Sequence, residues 1–124
     1  MEINIEVKGV GCDIVCISRV EKLIQNKSFL DKVYTLNEQN YIKSKNAQTA
    51  AGLWAAKEAV SKAVGTGFTG FVMKDIEVLH NDSGQPEILL HNGAIAAAEK
   101  LKIKRIHISI SHEDKQAIAF AVAH

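Results

Sequence analysis

The chain has 124 residues, 47% hydrophobic and 23% charged, with a formal net charge of +1. Those values fit one soluble globular domain spanning 1–124 with room for a core, and they carry neither the charge excess of a nucleic-acid-binding chain nor an acidic tail. No stretch is apolar and long enough for a transmembrane helix or a secretory leader, so a cytoplasmic protein is expected, with no membrane and no nucleic-acid partner.

Ile3 to Gly11 reads as a strand, with Ile3, Ile5 and Val7 on one face. Cys12 and Cys16 follow in a C-x-x-x-C spacing, which is neither the redox C-x-x-C nor, without a second pair, a zinc site. Two reduced, packed thiols are expected. Ile17, Val20, Leu23 and Ile24 mark an amphipathic helix beginning near Cys16, with Arg19, Glu21 and Lys22 off its stripe. Thr35-Leu36-Asn37-Glu38 fits a capping box and predicts a short helix through Tyr41 and Ile42. A long helix runs from about Thr49 to Val64, with Leu53, Ala56, Val60, Ala63 and Val64 as its apolar stripe. Lys57 lies at the edge of that stripe. Glu58 and Lys62 project from the far side, one turn apart, and Gly65 follows as a left-handed cap.

Ile76, Val78 and His80 predict a strand, Asn81 to Pro86 a turn, and Glu87 to His91 its hairpin partner. Asn92 is positioned to cap a helix of Ala94 to Leu101. The final hairpin is the clearest element. Ile106, Ile108, Ile110 and then Ile118, Phe120, Val122 alternate with small or polar residues, joined by His112-Glu113-Asp114-Lys115. The two isoleucine-rich sets are expected to fill one face. Ala117, Ala119 and Ala121 would form part of the other, a small apolar surface that a neighbouring subunit could cover. The element order is α+β rather than regular βαβ.

Two carboxylates stand at unusual places for surface charge: Asp13 at a strand end and Glu58 in an Ala-rich helix. Together they could hold Mg²⁺, which keeps several waters and takes phosphate oxygens as further ligands. Equally, Asp13 could cap the following helix and Glu58 could pair with Lys62. Lys57 and Lys62 could bind phosphate as point charges or form a solvated helix face. His112 sits at a hairpin tip, where an exposed histidine is ordinary. The histidines lack zinc-ligand spacing. There is no P-loop and no G-x-S-x-G. Arg19 is either a solvated helix residue or part of a basic face that docks an acidic partner.

Three segments in order resemble the holo-acyl-carrier-protein synthases, the small 4′-phosphopantetheinyl transferases. Gly9-Val10-Gly11-Cys12-Asp13-Ile14-Val15-Cys16-Ile17-Ser18-Arg19 is similar to their G-I-G-x-D-I-x-x-I-x-R pattern. Trp54-Ala55-Ala56-Lys57-Glu58-Ala59, continuing through Lys62-Ala63-Val64-Gly65-Thr66-Gly67, resembles F-A-A-K-E-A-x-x-K-A-x-G-T-G with Trp54 in place of Phe. His107-Ile108-Ser109-Ile110-Ser111-His112 with Ala117-Ile118-Ala119 is the third, and Asn81 to Pro86 fits an N-x-x-G-x-P turn. The chain departs from the family in carrying Leu53 where Arg is frequent, Cys16 where an acidic residue is frequent, and a few extra residues before Gly9.

The resemblance implies a 4′-phosphopantetheinyl transferase-like fold. It also implies transfer of 4′-phosphopantetheine from coenzyme A to a serine of apo-acyl-carrier protein, in fatty acid biosynthesis, leaving adenosine 3′,5′-bisphosphate. It implies that Asp13 and Glu58 bind Mg²⁺, that Lys62 steadies phosphate charge and that Glu58 serves as base. Ser61, Lys62, Gly65 and His112 would line the coenzyme A site, Arg19 would meet the carrier, and the active unit would be a homotrimer. A non-catalytic carrier-binding module fits poorly with Asp13, Glu58 and Lys62. A transferase serving a specialised synthase fits them equally, though a free-standing chain of this length suits the general role.

Overall fold

The computed structural model describes residues 6–124. In chain order its elements are β1 (Gly9–Cys16), α1 (Ile17–Leu23), α2 (Lys27–Val33), α3 (Leu36–Lys43), α4 (Ala47–Ala63), β2 (Ile76–His80), β3 (Pro86–Leu90), α5 (Gly93–Lys100), β4 (Ile106–His112) and β5 (Gln116–Ala123). β1, β5 and β4 form an antiparallel sheet in that order, and β2 and β3 form a separate hairpin. The α+β class expected from the sequence is the one observed.

Helix α4 is the axis of the core. Its alanines leave its surface thin, and β1 uses that room. A Cβ on Gly9 would fall 1.8 Å from the Ala63 carbonyl oxygen, and one on Gly11 equally close to that of Ala59. Backbone therefore lies on backbone, an approach that only glycine permits. From β5, Ala117, Ala119, Ala121 and Ala123 are buried on the same side.

The pairing corrects the expected faces of the last hairpin. Ile106, Ile108 and Ile110 stand opposite Ala123, Ala121 and Ala119, and directly paired residues share a face. The isoleucines of β4 and the alanines of β5 therefore lie on the α4 side. The alanine face is covered by α4 of the same chain, not left for a neighbour. Ile118, Phe120 and Val122 point the other way, beside Ile14, Cys12 and Val10. Val10 and Ile14 are each 57% exposed, Phe120 47% and Ile118 41%.

Smaller differences have local causes. The strand expected from Ile3 begins at Gly9 and continues to Cys16; Ile3 and Ile5 lie outside the described residues. Helix α4 starts at Ala47, because the Asn46 side chain accepts the Thr49 amide at 3.1 Å. Helix α2, not anticipated, starts where Asn26 Oδ1 accepts the amides of Ser28 and Phe29. The capping box of Thr35 and Glu38 is formed. Asn92 does not cap α5 with its side chain; its φ is 49° and it donates to Asp75 instead. Cys12 and Cys16 are free, but exposed rather than packed. No described helix is long and apolar enough to cross a membrane.

Candidate active site

The contact of Gly9 and Gly11 with α4 sets the position of Asp13. It is two residues beyond Gly11, so it shares that face of β1 and continues along α4 away from its C-terminal end, since Gly9 abuts Ala63 and Gly11 abuts Ala59. Lys62 closes the gap. Its Nζ donates to Asp13 Oδ1 at 3.1 Å and to the Cys12 carbonyl at 2.9 Å. Lys62 thus turns back onto β1 instead of projecting from the far side of α4, and its recorded carboxylate partner is Asp13, not Glu58. Asp13 does not cap α1, whose N-cap is Cys16 and lacks a side-chain cap bond.

Glu58 accepts the Trp54 indole N–H on Oε1 at 3.2 Å. Ser61 is almost fully buried, and its hydroxyl donates to the Glu58 carbonyl at 2.6 Å. The Ser61 carbonyl accepts the Gly67 amide at 3.1 Å. Gly65, at φ 81°, makes the left-handed turn that this closure needs.

Lys57 is not available to phosphate. It is fully buried and its Nζ lies 2.7 Å from Glu38 Oε1, with the carbonyls of Met73 and Ile76 as further acceptors. Burial pushes its pKa down, while the Glu38 carboxylate opposes that shift. Glu38 in turn accepts the amides of Thr35 and Val78. Sequence reasoning missed this network. The available signal was a capping-box glutamate and a lysine bordering an apolar stripe.

Arg19 is exposed on α1, with its guanidinium carbon 5.3 Å from the centre of the Trp54 ring. His112 is exposed at the end of β4, level with Ala117 and, through it, Val15. Gly65 lies beyond the opposite end of the same layer, next to the level of Gly9. Six residues of strand separate Gly9 from Val15, or about 20 Å. Lys62 joins Asp13 to the helix that carries Glu58 and Ser61, while Gly65 and His112 lie toward opposite ends of the β1 layer. Leu53 is buried in the core.

The site is an open edge. A groove of about 790 Å³ runs between β3 and β4 past Pro86, Ile88 and Ile108 and includes neither Asp13 nor Glu58. Among the described residues no three His, Cys, Asp or Glu side chains converge as a metal cage. At this edge Lys62 is paired with Asp13, and Glu58 stands one turn before Lys62 on α4.

A glycine-bearing strand lies on an Ala-rich helix, with Asp13 of the strand bridged to Lys62 of the helix and Glu58 one turn before it. The family model described as the 4′-phosphopantetheinyl transferase superfamily matches residues 9–121, and the chain belongs to that family. A holo-[acyl-carrier-protein] synthase of Clostridium perfringens is 50% identical over 121 residues, covering 92% of this chain and 91% of that protein. The crystal structure of the Neisseria meningitidis holo-[acyl-carrier-protein] synthase superposes with a TM-score of 0.87 at 31% identity, covering 96% of this chain and 99% of that one. The Helicobacter pylori synthase, solved in complex with coenzyme A, gives 0.82 at 31% identity over 93% and 99% of the two chains.

Proposed function

We propose that this protein transfers 4′-phosphopantetheine from coenzyme A to a serine of apo-acyl-carrier protein, yielding the holo carrier and adenosine 3′,5′-bisphosphate for fatty acid biosynthesis in the cytoplasm. The observation that carries the reading is the bridge from Lys62 to Asp13, which joins two motifs 49 residues apart at one edge beside Glu58. The coenzyme A complex of the Helicobacter pylori synthase supports the donor, and the names of the relatives support the acceptor.

In this mechanism the carrier serine attacks the phosphorus that bears the pantetheine arm, and the bond to adenosine 3′,5′-bisphosphate breaks. The serine proton needs an acceptor, and Glu58, directly or through water, is the group proposed for it. Lys62 offsets the charge that builds on the phosphates. Two carboxylates without a convergent third fit Mg²⁺, which is held by one or two carboxylates plus water and phosphate. Asp13 and Glu58 would hold it, and it would neutralise pyrophosphate charge. Ser61 and Gly65 line the coenzyme A side. Arg19 meets the acidic carrier. His112 is contributed by a second copy in a homotrimer, a reading supported by its distance from Gly65.

A catalysed mass gain on an apo carrier, given coenzyme A and Mg²⁺, tests the reaction. Glu58→Gln should cost about a hundredfold or more in rate, and a chelator should stop the wild type. Full activity in either case removes Glu58 or the metal from the mechanism.

A further inference from the structure

Trp54 lies between the two functional surfaces and touches both. On one side the Arg19 guanidinium stands 5.3 Å over its ring. On another, Phe29 of α2 packs at a centroid distance of 5.2 Å, tilted by 54°. At its polar edge the indole N–H donates to Glu58 Oε1 at 3.2 Å. The helical spacing makes this possible: Trp54 and Glu58 are four apart on α4, hence neighbours along one face. A carboxylate on a flexible stem samples several rotamers unless something holds it. The indole holds one oxygen of Glu58 and leaves the other lone pairs for a ligand. A phenylalanine, the residue at this place in the motif the chain resembles, could pack against Arg19 and Phe29 but has no N–H to give.

We infer that Trp54 is a positioning residue that fixes the Glu58 carboxylate and couples it to the Arg19 surface. The inference rests on the transferase reading for what Glu58 and Arg19 do. An acidic partner that engages Arg19 competes with the ring for the guanidinium. Releasing one face of Trp54 changes how firmly the indole N–H holds Glu58. Arrival of the acceptor is thereby registered at the carboxylate that would bind the metal and take the proton. The link is short, consisting of one cation over a ring and one hydrogen bond, and it runs through a side chain held on its remaining side by Phe29.

Trp54 is the only tryptophan in the chain, so intrinsic fluorescence reads this link without any turnover. Glu58→Ala should change the Trp54 emission in the protein alone. An apo-acyl-carrier protein should change it in the wild type but not in Arg19→Gln. Trp54→Phe should keep a cooperative thermal transition close to the wild type's. It should raise the Mg²⁺ concentration for half-maximal rate by about tenfold, as loss of a partner that orients a metal ligand does. Arg19→Gln should shift that Mg²⁺ dependence when residue 54 is Trp and leave it unchanged when residue 54 is Phe. Emission indifferent to Glu58→Ala, or a Mg²⁺ dependence unaltered by Trp54→Phe, overturns the inference. Failure of the wild type to modify the carrier would instead overturn the transferase reading, and the emission of Glu58→Ala would still decide whether Trp54 holds Glu58.

Discussion

Gly11 is the residue on which the site's geometry turns. An added Cβ would lie 1.8 Å from the Ala59 carbonyl oxygen, and backbone on both sides cannot yield as a side-chain tip could. Gly11→Ala must push β1 off α4, at a cost of about 1–3 kcal/mol or more, typical of overpacking. The urea midpoint should fall, and activity should fall further than stability because Asp13 rides on the displaced strand. A variant as stable and active as the wild type would mean that β1 can slide without disturbing the Lys62 bridge. Glu77 gives a second test at this scale, on pH. Burial works to raise its pKa, but hydrogen bonds from Thr35, His91 and Asn37 outweigh it and hold the carboxyl below 4.5. Its folded pKa is depressed, so the unfolded chain takes up the proton first. Its stabilisation is complete above 4.5 and lost as pH falls through the folded value. Glu77→Gln should lower the urea midpoint at pH 7 and shrink the decline below pH 4.5. An identical decline in both proteins would assign acid sensitivity to other carboxylates.

At the scale of elements, α2 shows what a cap does when periodicity is weak. Its seven residues offer only Phe29, Leu30 and Val33 as apolar contacts, too few for a helical stripe to stand out. Asn26 starts it, accepting the Ser28 amide at 2.8 Å and that of Phe29 at 3.2 Å. Asn26→Ala should cost about 1 kcal/mol in chemical denaturation and loosen Phe29 beneath Trp54. An unchanged midpoint would mean that packing alone holds α2. The contrast with α3 explains what the sequence could reveal. The Thr35 and Glu38 pattern is local, so the capping box was legible in four residues. Strand existence in β4 and β5 was equally legible from alternation. Which residues shared a face was not, since a face depends on pairing register, and register placed Ile108 opposite Ala121. Lys57 was misread for a related reason. Lysine is rarely buried, and its partner Glu38 is 19 positions away on another helix. The bridge of Lys62 to Asp13 was not legible: spacing alone favoured a pair of Glu58 with Lys62, and the resemblance implied only that Asp13, Glu58 and Lys62 act on the same phosphates.

At the scale of the whole molecule, one apolar sheet face is exposed among the described residues. Val10, Ile14, Ile118 and Phe120 are exposed on the face of the β1-β5-β4 sheet turned away from α4. Pairing sets Val10 beside Val122, Cys12 beside Phe120 and Ile14 beside Ile118, so the apolar side chains are contiguous. Such a patch in a soluble protein marks an interaction surface. The homotrimer proposed above would bury it by symmetric contact of the same sheet face in each copy. It would also let His112 of one copy approach the Gly65 end of another, which lies about 20 Å away along the strands within one chain. Phe120→Glu tests both halves of this proposal together. Phe120 lies outside the α4-facing core, so the far-ultraviolet spectrum should keep its helical and strand character. Light scattering across a dilution series should show a smaller species than the wild type at equal concentration, because a charge replaces an aromatic ring at the centre of the patch. Specific activity should drop with the dissociated fraction and recover partially at high protein concentration. A monomeric Phe120→Glu protein with full activity would place a complete site within one chain and leave the exposed sheet face to a different partner.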